Sequence, residues 1–194
     1  MGRLSLSNIA YAQQAIQTND QDAIDKVYEI EHKVDLYEKY LTDYLIRVNN
    51  LSISEKQHFL VNNLFHAIID IERVSDHAEN LAELAKYKIE NNIVFSENGS
   101  SELRLIGDKV YHSFEKAVEA RELQDGSIAD EVMRIEDGVD ELEEELRDKH
   151  IQRLSQGKCK PSNGVVFLDI LSNLERMSDH ANNIAECIKK ELTK

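Results

Sequence analysis

Tryptophan is absent from this 194-residue chain, proline occurs once, glycine seven times and cysteine twice. Scarcity of the two helix breakers points to long helices, because Gly and Pro in a helix interior cost about 1 and about 3 kcal/mol relative to Ala. With few aromatics, the core is expected to be mainly aliphatic. Cys159 and Cys187 lie in neither a CxxC nor any other metal-ligand spacing, so both read as reduced structural thiols. Basic residues are also in deficit: 23 Lys and Arg against 37 Asp and Glu leave a formal charge of −14. That balance argues against nucleic acid, which demands a basic patch, and suits cations or basic surfaces. No apolar run approaches the roughly 20 residues of a membrane span. The N-terminus lacks the basic start and apolar core of a signal peptide. The expectation is a cytosolic protein without a transmembrane segment.

What the chain does contain is a duplication. Glu72 to Glu83 reads ERVSDHAENLAE, and Glu175 to Glu186 reads ERMSDHANNIAE, 103 residues later and identical at nine of twelve positions. Two of the three changes, Val74 to Met177 and Leu81 to Ile184, are apolar swaps. Core packing tolerates such swaps and rarely demands the same Glu, Arg, Ser, Asp, His and Asn, so shared chemistry is the better explanation.

Periodicity extends the repeat. Leu64, Ile68, Ile71, Ala78, Ala82, Ala85 and Ile89 step by four and three, with Ser75 in the one polar register position, and Phe167 to Leu192 repeats the register with Ser178 at the same break. Upstream, Val27, Ile30, Val34, Tyr37, Leu41 and Tyr44 form a stripe matched 105 residues later by Val132, Ile135, Val139, Leu142 and Leu146. A shorter amphipathic stretch, about Leu4 to Thr18, precedes the first pair, and a longer one, about Ser101 to Leu123, the second. Asp20 or Asn19 is a cap, Ser54 with Gln57 a capping box, and Asn98-Gly99-Ser100, Asp125-Gly126-Ser127 and Lys160-Pro161-Ser162 are breaks. The fold class is therefore all-α: two tandem three-helix bundles, six long antiparallel helices near residues 3–18, 21–50, 54–92, 100–123, 127–156 and 162–193, with repeats over 1–97 and 98–194. The short first helix reads as starting mid-helix, with Met1-Gly2 extraneous to a polypeptide that continues upstream.

Glu72 and Asp76 stack one turn apart beside the apolar seam, as do Glu175 and Asp179. Glu31 with Asp35 and Glu136 with Asp140 repeat the spacing on the preceding helices. Like charges at i and i+4 repel by a few tenths of a kcal/mol, more at low dielectric, so four matched pairs call for compensation. If neighbouring helices pack antiparallel, four carboxylates per half converge along a groove, and a hard cation would stabilise them. Arg73 and Arg176 beside the acids read as local ion pairs that could also grip an anion. His77 and His180, turned about 100° from the Asp, read as interhelix hydrogen-bonders. Asn80, Asn183, Glu83 and Glu186 extend the stripe as outer ligands or partner contacts. The other acids from Glu136 to Asp148 read as a solvated face. Glu29 and His32 spell one ExxH, but its counterparts are Arg134 and Asp137, so a di-iron oxidase reading fails. No phosphate loop, nucleophile elbow or HExxH is present.

Tandem halves carrying ERVSDHAEN and ERMSDHANN, preceded by EHKVD and EDGVD, resemble the PhoU family over about residues 3–193. The resemblance implies two similar three-helix bundles whose carboxylates, here Glu31, Asp35, Glu72, Asp76, Glu136, Asp140, Glu175 and Asp179, hold divalent or trivalent metal ions, in some members as multinuclear iron clusters. It implies control of phosphate uptake at the inner face of the membrane through a phosphate transporter and a sensor kinase, with no enzyme activity. Ser75 and Ser178 stand where stand-alone members usually have Gly, and with the short first helix they tilt the reading toward the cytoplasmic domain of a sodium/phosphate cotransporter. A stand-alone PhoU-type negative regulator is the alternative. Metal-dependent phosphate-ester hydrolysis and a purely structural helical adaptor are the rival classes, and an oligomer is compatible with each.

Overall fold

The computed structural model describes residues 1–193; the last residue of the second expected repeat, Lys194, lies outside them. Among the described residues the regular elements are six helices: α1 (Gly2–Thr18), α2 (Gln21–Asn49), α3 (Glu55–Glu90), α4 (Glu97–Leu123), α5 (Gly126–Ser155) and α6 (Pro161–Leu192). Local chemistry sets their starts. Asp20 accepts from the backbone N–H groups of Asp22 and Ala23, and Asp125 from those of Ser127 and Ile128. Ser54 and Gln57 form the reciprocal box at α3. Each satisfies amides that a helix start leaves without a carbonyl. Pro161 opens α6 where a missing N–H costs nothing.

Helices α1, α2 and α3 pack on one another, as do α4, α5 and α6. The halves meet where α3 lies against α6 and α1 against α4, whereas α2 and α5 touch only their own half. A single apolar cluster runs through both halves, from Ile9 and Val74 to Phe114, Phe167 and Ile188. The seams α2/α3 and α5/α6 thus lie on opposite flanks of one core, and those seams carry the paired acids.

Three expectations are corrected. Asn98-Gly99-Ser100 is no break: these residues sit in the first turn of α4, which starts earlier because Ser96 caps it by accepting from the Gly99 N–H. The turn between the halves is residues 91–96. Second, Tyr37 and Tyr44 of the expected α2 stripe are 50% and 63% exposed. The cause is α1, at 17 residues ten shorter than the 27-residue α4, so the far ends of α2 and α3 form a hairpin without a full-length third helix. A separate cluster of Leu45, Val61 and Ile68, with Leu41, Val48 and Leu64 against it, holds that hairpin together. Third, Leu192, expected at the end of the α6 stripe, is 52% exposed. Cys159 and Cys187 are free thiols, as read.

Candidate metal centre

In the second half, Glu136 and Asp140 stand one turn apart on α5 and Glu175 and Asp179 one turn apart on α6, beside the seam between these helices. Carboxylate oxygens of Glu136, Asp140 and Asp179 lie within 4.8 Å of one another. Burial, then the charges of Asp140 and Asp179, pushes the Glu136 carboxyl above its ordinary value. Burial and Asp179 do the same to Asp140, and burial raises Asp179 against the opposing pull of His180 and Arg176. Glu175 stands outside the trio, yet burial, Asp179 and Asp140 raise it too, so it shares the same field. Three converging oxygen donors on two rigid helices suit a hard cation, which would cancel the repulsion that these directions record.

The first half is looser. Burial, then Asp35 and Glu79, pushes Glu31 up to about 7; burial and Asp76 push Glu72 up to about 6. Burial also raises Asp76, with Arg73 pulling the other way. Among the described residues no three oxygens here approach as closely as the trio does. Cations intervene instead: Arg73 reaches Asp76 at 3.4 Å and Glu72 at 3.8 Å, and Lys39 reaches Asp35 at 3.7 Å. Arg73 is therefore the local ion pair expected of it. Arg176, its counterpart, shows no such pair among the described residues and lines a cleft between α3 and α6 with His77, Asn80 and Glu83.

Two features escaped the sequence reading. The third difference between the repeated motifs is Glu79 against Asn182. Glu79 adds a fifth charge facing Glu31, whereas Asn182 hydrogen-bonds Glu136 and draws its carboxyl down. The grooves are thus electrostatically unequal, and the signal was the one substitution in the motif that is not an apolar swap. The second is Glu143, assigned to a solvated face but 6% exposed and paired with Arg147. Its counterpart, 105 residues earlier, is Glu38, which accepts from Thr42 at 3.1 Å. Each groove therefore carries a third acid on its outer helix, at a spacing the repeat offset could have revealed.

The histidines are interhelix hydrogen-bonders, as expected. His77 Nδ1 lies 2.9 Å from Asn173 Oδ1, and His180 Nδ1 lies 2.8 Å from Asp70 Oδ1. The two rings stack at 5.6 Å where α3 meets α6. Asp70 and Asn173 are themselves 103 residues apart, so this polar joint obeys the internal symmetry. Asn183, expected as an outer ligand, donates to Asp70 at 3.1 Å, and Glu186 pairs with Lys190 at 2.9 Å. Burial lowers the His77 pKa and favours its neutral form. Ser75 is buried and accepts from Asn8 of α1 at 2.9 Å, so its hydroxyl ties α1 to α3.

The PhoU domain model matches residues 1–85 and 103–188. The chain is 27% identical over 192 residues to a phosphate-specific transport system accessory protein PhoU homolog of Pseudomonas aeruginosa, covering 97% of this chain and 77% of that protein. It is 25% identical over 175 residues to PhoU homolog 1 of Thermotoga maritima, covering 89% and 74%. The crystal structure of PhoU from Pseudomonas aeruginosa superposes with a TM-score of 0.94 at 24% identity, over 100% of this chain and 92% of that one. That of the phosphate transport system regulatory protein PhoU from Streptococcus pneumoniae gives 0.88 at 20%, over 99% and 89%. With both repeats matched and all six helices superposed, this chain belongs to the PhoU family.

Proposed function

We propose that this chain is a stand-alone regulatory accessory protein of a phosphate transport system, acting without turnover at the inner face of the membrane. The carrying observation is the match to accessory proteins across both halves, 97% of this chain and 77% of the Pseudomonas aeruginosa relative. The reading as a domain fused to a sodium/phosphate cotransporter gives way to this one. Of the serine pair that supported it, Ser75 has a local cause in the bond from Asn8, whereas the buried Ser178 hydroxyl has no hydrogen-bond partner among the described residues. Among the described residues no helix is long and apolar enough to cross a membrane. The partners under this reading are a membrane-embedded transporter subunit and a sensor kinase.

The acidic grooves are proposed metal sites. Glu136, Asp140 and Asp179, with Glu175 beside them, would hold a hard divalent or trivalent cation in the second half, and Glu31, Asp35, Glu72 and Asp76 in the first. All-oxygen donors favour Fe, Mn, Mg or Ca over zinc. The metal would neutralise the groove and fix its shape for a partner. Elemental analysis of the protein and of its Asp76→Ala/Asp179→Ala variant, after equilibration with each metal, is the test. Stoichiometric metal lost in the variant supports the sites; no metal in either protein leaves a helical adaptor. Partner binding that survives complete metal removal would sink the organising role while sparing the regulatory one.

A further inference from the structure

One cavity breaks the acidic pattern of the molecule. It measures about 350 Å³ and lies between the turn 91–96, the end of α5, the loop 156–160 and the first turn of α6. Arg153, Lys158, Lys160 and His150 line it with Phe95 and Phe167, and no carboxylate does, in a chain of formal charge −14. Glu102 grips Arg153 through two bonds of 2.8 and 2.6 Å, which hold the guanidinium against Phe167. Among the described residues Lys158 and Lys160 form no ion pair.

Helices α4 and α6 both begin at this cavity, so two positive dipole ends point toward it. Lys160, the residue before α6, supplies no side-chain cap. His150 is an independent sign. It is 2% exposed and stacks on Phe167 at 4.3 Å, and its Nε2 has no hydrogen-bond partner. A Cβ at Gly164 would stand 3.0 Å from that nitrogen, which places it against the first turn of α6, whose Ser162 and Asn163 line the cavity with the His150 ring. A buried imidazole nitrogen without a partner calls for a ligand or an ordered water.

Duplication did not produce this site. The positions matching His150, Arg153 and Phe167 in the first half are Leu45, Val48 and Leu64, which form the apolar cluster at the end of the α2/α3 hairpin. At that end of the first half, which the shorter α1 leaves without a full-length third helix, aliphatic side chains pack on one another. In the second half α4 reaches it, its Glu102 pairs with Arg153, and Lys158 and Lys160 add two cations that form no ion pair among the described residues.

We infer that this cavity binds a phosphate group, either free phosphate or the phosphate of a small organic ester whose body lies against Val94 and Phe95. The site is separate from the acidic grooves and does not rest on their holding metal. Calorimetric titration of the full chain, treated with chelator and checked for helicity, with inorganic phosphate and with adenosine monophosphate tests it. Saturable one-to-one binding of at least one ligand is expected, weakened about tenfold or more in Lys158→Ala/Lys160→Ala, whose substituted side chains are exposed and unpaired. Binding of phosphate as tight as that of the ester identifies the free ion; binding of the ester alone identifies an ester site. His150 imidazole NMR signals should shift on saturation. Absence of saturable binding by either ligand overturns the inference, as does binding that the lysine variant leaves unchanged, since the ligand would then sit elsewhere.

Discussion

Glu31→Gln isolates the electrostatic cost of the first groove. Burial, Asp35 and Glu79 raise the Glu31 carboxyl from 4.5 to about 7 in the folded protein. The folded state therefore holds this proton more tightly than the unfolded chain. By linkage the stabilisation is complete below pH ~4.5 and is lost as pH rises to about 7. A rise of that size is worth at most about 3.5 kcal/mol at ~1.4 kcal/mol per pH unit, and partial exposure of the carboxylate cuts this to about 1–2 kcal/mol. Glutamine keeps the shape and removes the charge. In metal-free protein the variant should match the parent at pH 4.5 and exceed its stability by about 1–2 kcal/mol at pH 8. Urea unfolding at both pH values, followed by circular dichroism with chelator present, reads the difference. The same variant should lose metal from the first groove, so stability and binding move in opposite directions. A variant less stable than the parent at pH 8, or a difference independent of pH, would refute the account of Glu31 as a strained carboxylate.

Metal affinity of the first groove should climb as pH rises through about 6 and about 7, because the Glu72 and Glu31 carboxyls must release protons to become ligands; calorimetry in buffers of different ionisation enthalpy would count those protons. His180→Ala should cost about 1–3 kcal/mol, since it strips the buried Asp70 of its bond at 2.8 Å and leaves Asn183 as donor. Adding Asp70→Asn, which reproduces the neutral side chain at Asn173, should recover part of that loss in urea unfolding. Gly164→Ala should destabilise by about 1–3 kcal/mol despite the better helix propensity, because its Cβ would meet His150 and Leu154 at 3.0 Å. Gly138→Ala, whose Cβ finds only the flexible end of Lys109 at 3.4 Å, should gain about 0.5–1 kcal/mol. Thermal unfolding of the two variants side by side gives opposite shifts.

The helices and their pairing in halves were legible because helical periodicity, capping chemistry and duplication act over short stretches of chain. Asp20, Ser54 and Asp125 cap as their types demand, and Ile30 and Val34 are buried beside Glu31 and Asp35 as the stripe requires. The sequence was likewise sufficient to place paired acids on the seam-facing edge of four helices and to turn His77 and His180 toward another helix. Only the tertiary structure decided which acids meet. Glu136, Asp140 and Asp179 converge while in the first half Lys39 holds Asp35 and Arg73 holds Asp76, because side-chain reach across a seam depends on the neighbours that compete for each carboxylate. The burial of Glu143, the stack of His77 on His180 and the cation-lined cavity at His150 arise from residues far apart in the chain. Periodicity assigns a residue to a face of its own helix; what lies opposite that face is set by packing between helices.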